Sequence, residues 1–439
     1  MKKPTRFRTI LLICLVLSCF SAGYFYQQKR KQQKRDYYKR ELIAATHVNL
    51  DGEEGYWDIE RYLKVCQFHF RRAIKGMREY DGNHFEPSNH RLDCSLIENS
   101  FLAKVRNPPK WIVDQVESEF EYYIKRPYGK QALKEMERKL TQKKELLPWL
   151  IKYKIYQGKI YLKTYGPHSY FLPWVAAVFY RLCQFGGLPD MEFFTSFSDV
   201  LTDCKDIPAP IFAFSKRRDD PFVVAMPDYE MCRTYEAFNQ ALAEGVQRWP
   251  WQQKEERVFW RGGTTGGNYC QPNWKKIPRV RLVELSEEFP NEINARFSSL
   301  STEAKQNAEF VSCCAMHGEF VYPQDAMRYK YLIDVDGTGT TFSRYYWILY
   351  SNSVPFKQQT ALMQWYYSGL KPYIHYIPVK SDFSDLIDQV MWAERHDDEA
   401  KRIAQNSARF AQENLTAENT LVYLYLILQK YATLYSPDL

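Results

Sequence analysis

The stretch Tyr329–Lys357, YKYLIDVDGTGTTFSRYYWILYSNSVPFK, restricts the fold more than any other part of the chain. Tyr331–Val335 is an apolar run short enough for a buried strand. Asp336-Gly337 breaks it, and Gly339 follows within a run of threonines, where the backbone can turn tightly and expose its amides. The aromatic-rich run Phe342–Tyr350 reads as a helix. Ser351-Asn352-Ser353 closes it, and Val354-Pro355-Phe356 opens the next strand. Strand, Gly/Thr loop, helix and strand make a βαβ unit of an open α/β sheet, which binds ligands beyond the carboxyl ends of its strands. Loop amides and a helix start favour an anion, most simply a phosphate. Arg344, early in that helix, is placed to add a bidentate clamp.

The same stretch resembles the donor-site signature of the CAP-type O-glucosyltransferases (glycosyltransferase family 90), which include capsule-associated xylosyltransferases and protein O-glucosyltransferases. Further blocks follow in the family's order from about Leu150 to the C-terminus. They are a YKxxxGKxY-like block within Ile151–Tyr165, LPDMEFFTSFSD (Leu188–Asp199), ERVFWRGG (Glu256–Gly263), PRVRLVEL (Pro278–Leu285) and LKPYIHYIPVK around His375. The first third of the chain matches poorly. The resemblance implies a GT-B-like α/β fold, two Rossmann-like halves around a cleft, and inverting transfer of glucose or xylose from a UDP-sugar without metal or other cofactor.

It also implies site residues. Asp199 takes the place of the family's catalytic Asp, following Asp190 of the PDxE-like block, with Ser198 where the family usually has Arg. An inverting transfer needs one base to take the acceptor hydroxyl's proton, a contribution of roughly 10²–10⁴ in rate. Arg279 and Arg344 match diphosphate-contacting arginines, and Arg261 and Gly262 belong to the WRG block; Thr264 stands where protein O-glucosyltransferases carry a second arginine. Gly337, Thr341 and Ser343 complete the donor loop, with Asp336 as a turn or ribose-side residue. Asp334-Val335-Asp336 also imitates a DxD metal motif, so a metal-dependent transferase of the other large fold is an alternative. A non-catalytic glycan- or nucleotide-sugar-binding protein is another, since fold does not fix activity. His375 reads as a packed histidine, and Tyr376 and Lys380 border the nucleotide.

The net charge of +8 misleads, because residues 1–40 hold eleven Lys and Arg against one acid. The rest of the chain holds 49 basic and 51 acidic residues and nets −2, so no basic stripe of the kind nucleic acid requires is present. Ile10–Tyr26 is an apolar segment at the short limit for a membrane span, between two basic clusters. Seven basic residues follow it and four precede it, which favours an uncleaved anchor with a cytoplasmic body. The ten cysteines show no CxxC or zinc spacing. Secreted relatives, as the resemblance implies, flank the donor loop with a disulfide; the aligned residues here are Met327 and Ser351.

The expected organisation is a membrane anchor over 1–40, a helical arm or acceptor-side cap over 41–150, an acceptor-side half over 151–250, a donor half over 251–415 and a packing helix over 416–435. Trp111–Tyr123 and Gln131–Leu147 read as the arm's amphipathic helices. Gln157-Gly158 marks a hairpin, and Trp249-Pro250-Trp251 marks the hinge between halves. The expected partners are a UDP-sugar, a glycan or protein acceptor, and a membrane through the N-terminal segment.

Overall fold

The computed structural model describes residues 47–63 (Asp51 apart), 94–166, 172–201, 204, 206–228, 231, 236–312 and 317–436. The expected anchor lies outside them. Among the described residues no helix is long and apolar enough to cross a membrane.

The architecture is mixed α/β around two large sheets. The first has seven strands, β1 (His47–Leu50), β2 (Glu53–Asp58), β3 (Leu150–Tyr156), β4 (Lys159–Thr164), β5 (Met191–Ser196), β6 (Ile211–Ala213) and β7 (Val223–Ala225). Their spatial order is β1-β2-β4-β3-β5-β6-β7, antiparallel as far as β5 and parallel from β5 to β7. Only the last three strands of this half are parallel, a narrower Rossmann-like portion than expected. The β3–β4 hairpin turns where the dipeptide signal placed it. Gln157 and Gly158 have φ of 51° and 72°, which suits a two-residue turn matched to strand twist.

The helical arm is present at Lys110–Phe120 and Lys130–Thr141, but the same stretch also supplies β1 and β2. Glu53–Asp58 reads EEGYWD, without the apolar–polar alternation that marks a strand, and its Trp57 pairs with His47 on one side and Leu162 on the other.

The second sheet is entirely parallel. Its strands are β8 (Glu255–Gly263), β9 (Ile293–Ser299), β10 (Tyr329–Asp334), β11 (Val354–Gln358) and β12 (Ile377–Val379), in the order β9-β8-β10-β11-β12. β10 is buried along its whole length, as a strand covered on both faces must be. The chain leaves β8 for one edge and returns beside it as β10, so the order reverses between these two strands. In open α/β sheets that reversal opens a crevice at the carboxyl ends.

One apolar core surrounds the first sheet and extends to helix Ser343–Tyr350. A second lies between the parallel sheet and helices Pro278–Glu288, Leu386–Arg395 and Asp397–Asn414. The last helix, Ala417–Leu434, crosses back to the first sheet. Its Tyr431 hydroxyl donates to Glu192 O at 2.7 Å and its Tyr423 hydroxyl to Ala225 O at 2.7 Å. The halves also join through a short ladder of Lys216–Arg217 with Leu362–Met363.

Candidate active site

Two loops fill the crevice. The loop after β8 (residues 264–267) and the loop after β10 (residues 335–342) stack closely enough to leave little room for a side chain at their glycines. A Cβ on Gly337 would stand 2.6 Å from Thr265 Oγ1, and one on Gly266, whose φ is +88°, 3.2 Å from the Gly337 carbonyl carbon. Gly262 is similarly closed, with Trp260 Cζ2 at 2.4 Å from a built Cβ.

Arg279, at the second position of helix Pro278–Glu288, ties these loops together. Its Nε donates to Asp336 O at 3.1 Å, its Nη1 to Gly263 O at 2.9 Å and its Nη2 to Val335 O at 3.1 Å. The expected diphosphate clamp is therefore also the brace of its own cradle. Arg344 donates through Nη1 to the Arg261 carbonyl. Both guanidinium groups lie near the Trp260 ring, at 5.6 Å for Arg279 and 5.9 Å for Arg344, an arrangement the ring's negative face favours. Burial, together with the neighbouring Arg279, pushes Arg344 down to about 10. Burial likewise lowers Arg279. Two desolvated cations side by side with carbonyl partners form a place where an anion is stabilised.

Arg261 does not join this pair. Successive strand residues face opposite sides, so Arg261 leaves Trp260's face and lies over the Phe259 ring at 4.6 Å. Its Nη1 donates to Asn294 O at 2.9 Å and its Nη2 to Asn294 Oδ1 at 2.8 Å. Only its carbonyl meets Arg344. Thr264 is also turned away, its hydroxyl accepting from Ser301 N at 2.7 Å. Ser343 opens helix Ser343–Tyr350, directly after Phe342 at φ 45° and ψ −120°. So strained a residue is held only where its surroundings dictate it.

The acidic pair is engaged from within. Lys357 Nζ donates to Asp334 Oδ2 at 2.6 Å and Asp336 Oδ1 at 2.8 Å, while Thr341 bonds Asp334 Oδ1 and Thr360 bonds Asp336 Oδ2. All four carboxylate oxygens thus take protein donors. Burial opposes the Lys357 charge, but the two carboxylates outweigh it and raise the amine above the ordinary lysine range. Asp336 is held within this interior bond network. Sequence reasoning missed Lys357, although its register partner across the β10–β11 ladder is Asp334.

Asp199 lies in the bend after β5, with its side chain in contact with solvent. Loss of solvation nevertheless raises its carboxyl above the ordinary aspartate range. Ser215 Oγ donates to the Asp199 carbonyl, and Ser198 Oγ stays in the bend, 2.9 Å from Ser196 Oγ and 3.3 Å from Val200 O. The loop after β10 touches this bend, with Gly339 against Asp199, and its Phe342 lies edge-on to Phe214 at 6.0 Å. The Asp199 bend thus packs directly against the loop that Arg279 braces. His375 is packed, its Nδ1 accepting from Lys371 N at 2.9 Å.

A family model described as glycosyl transferase family 90 matches residues 121–438. Protein O-glucosyltransferase 2 of Danio rerio is 29% identical over 294 residues, covering 65% of this chain and 56% of the relative. Protein O-glucosyltransferase 3 of Homo sapiens is 28% identical over 313 residues, covering 69% and 58%. Human protein O-glucosyltransferase 1 is 24% identical over 262 residues, covering 56% and 63%. The chain spans somewhat over half the length of these curated relatives. A match running from the arm helices to the C-terminus leaves one conclusion: the chain belongs to glycosyl transferase family 90.

Proposed function

We propose that the protein is an inverting glycosyltransferase that moves glucose or xylose from a UDP-sugar to a hydroxyl of a glycan or protein acceptor. The relatives' shared name, protein O-glucosyltransferase, makes glucose the first donor to test. In this reading the two sheets are the halves of a GT-B-type cleft. The observation that carries it is the contact between the Asp199 bend and the donor loop at Gly339. It brings the bend of one carboxylate, whose pKa is raised by loss of solvation, against the loop whose carbonyls Arg279 holds.

Asp199 takes the proton from the acceptor hydroxyl as that oxygen attacks the anomeric carbon from the face opposite the diphosphate. Charge developing on the leaving oxygen meets Arg344, the loop amides and the start of helix Ser343–Tyr350. A raised base also places the acidic limb of the rate profile above the ordinary aspartate range near about 3.9. Lys357 holding Asp334 and Asp336 favours neutralisation by these groups over a metal bridge built on the acidic pair.

The test is turnover of UDP-glucose and UDP-xylose with the Asp199→Asn variant. This substitution keeps size and removes basicity, so kcat falls by roughly 10²–10⁴ while UDP affinity stays near wild type. Turnover abolished by EDTA and restored by Mn²⁺, with Asp199→Asn still active, would sink both the base and the GT-B assignment.

A further inference from the structure

Gly339 is a glycine for a reason its own backbone does not supply. Gly266, in the facing loop, occupies the left-handed region, whereas Gly339 does not and could carry a side chain without local strain. What forbids one is the opposite wall of the cleft. A Cβ on Gly339 would stand 2.2 Å from the Asp199 carbonyl oxygen, 2.7 Å from its carbonyl carbon and 3.1 Å from its Cβ. The nearest two are backbone atoms, which cannot swing aside as a flexible side-chain tip can. On its other side the Asp199 carbonyl is held by the hydroxyl of Ser215, itself fully buried. The bend that carries Asp199 is therefore gripped between a buried hydroxyl and the bare backbone of the donor loop. That loop is fixed in turn by the Gly337 N–H bond to Gly339 O at 2.9 Å and by Arg279 on the carbonyls of Val335 and Asp336.

We propose that Gly339 is a positioning residue for Asp199, with the donor-loop backbone serving as the surface that sets where the carboxylate stands relative to the bound donor. The inference rests on the reading of Asp199 as the base. Gly339 itself touches no reacting atom; it acts by allowing the close approach. A methyl group at this position pushes the Asp199 bend away from the donor loop. The carboxylate then gains solvent and leaves the line to the acceptor hydroxyl, and misplacement on the order of 1 Å is enough to cost about 10²-fold in rate.

The test uses the full chain with Gly339→Ala and Ser215→Ala, the second releasing the same bend from its other side. Three quantities are read: UDP affinity by calorimetry, kcat with UDP-glucose, and Asp199 titration by carboxyl-carbon NMR, assigned against Asp199→Asn. The expected result in Gly339→Ala is unchanged UDP affinity, kcat lower by about 10²-fold, and an Asp199 titration moved down toward the ordinary aspartate range. Ser215→Ala moves the titration the same way by less, and it serves alone if the alanine at 339 prevents folding. An unchanged Asp199 titration in the folded variants overturns the proposal, as does a loss confined to UDP affinity. Absence of UDP binding and turnover in the wild type would count against the proposed function alone, because the titration still reads the contact between Gly339 and Asp199.

Discussion

The first sheet completes its buried cations with carboxylates, whereas the second, which pairs Lys357 with Asp334 and Asp336 in the same way, also holds cations completed by carbonyls. In the first sheet, Lys152 is 2% exposed and lies 2.9 Å from Glu192 and 3.1 Å from Glu137. Lys154 shares Glu192 at 3.2 Å, and beside this sheet, in the short ladder to Leu362–Met363, Lys216 pairs with the buried Glu119 at 3.0 Å. Burial works against the Lys152 charge, yet Glu192 and Glu137 outweigh it and hold the amine above the ordinary lysine range. In the second sheet, at the carboxyl ends of β8 and β10, burial lowers Arg279 and Arg344, whose hydrogen bonds go to carbonyls. Cations completed by carboxylates have nothing left to recruit and serve the fold. Cations whose hydrogen bonds go only to neutral oxygens keep their charge available, which is what the proposed diphosphate site requires.

This contrast can be broken by substitution. Lys152→Met leaves Glu192 to Lys154 and Glu137 to Lys163 and Tyr165, so it should destabilise the fold by less than the roughly 3–5 kcal/mol that a wholly unpaired buried carboxylate costs. UDP affinity of the folded fraction should remain unchanged. Urea unfolding together with calorimetry checks both, and a loss of UDP binding without a loss of stability would erase the distinction.

Arg344→Ala should do the reverse. It removes one member of a repelling pair, so stability holds, while UDP-sugar turnover falls by on the order of 10²–10³. Arg344→Lys should recover part of the loss, because a point charge lacks the planar fork. Unaltered UDP affinity in the alanine variant would remove Arg344 from the donor site.

Lys254 sharpens the rule from a third position. Its amine is buried and donates to Met327 O at 2.6 Å and Ser353 Oγ at 2.9 Å, neutral acceptors again. It precedes β8, however, at the amino end of the sheet, away from the crevice. Burial pushes it down to about 7. The unfolded chain keeps this proton up to about 10.4, so between these values the unfolded state carries one proton more. This group therefore makes stability rise with pH, by about 1.4 kcal/mol per unit from roughly pH 7 upward, and the contribution is lost as pH falls through 7. Lys254→Met should remove that slope. Parallel stability curves for wild type and variant from about pH 7 to pH 9 would show that the amine stays charged in the fold.

Much of this molecule was legible in the sequence because short-range pattern is enough to specify it. The β3–β4 hairpin follows from Gln157-Gly158 between alternating strands, and the unit from β10 through helix Ser343–Tyr350 to β11 follows from an apolar run, a Gly/Thr break and an aromatic run. Asp199, Arg279 and Arg344 were singled out as candidates through blocks that keep their order along the chain. Tertiary structure decided what each residue touches. Nothing local in Arg279 says that its donors go to Gly263, Val335 and Asp336, because those carbonyls arrive from two separate loops. Strand alternation turns Arg261 to the face opposite Trp260, although the two are neighbours in sequence. The pairing of Asp334 with Lys357 exists only once β10 and β11 lie in register. Gly339 against Asp199 joins residues far apart in sequence from opposite walls of the cleft. Sequence patterning specifies elements because side-chain period and turn preference are local. Contacts across a crevice depend on how whole sheets pack, and that is settled by burial summed over both cores.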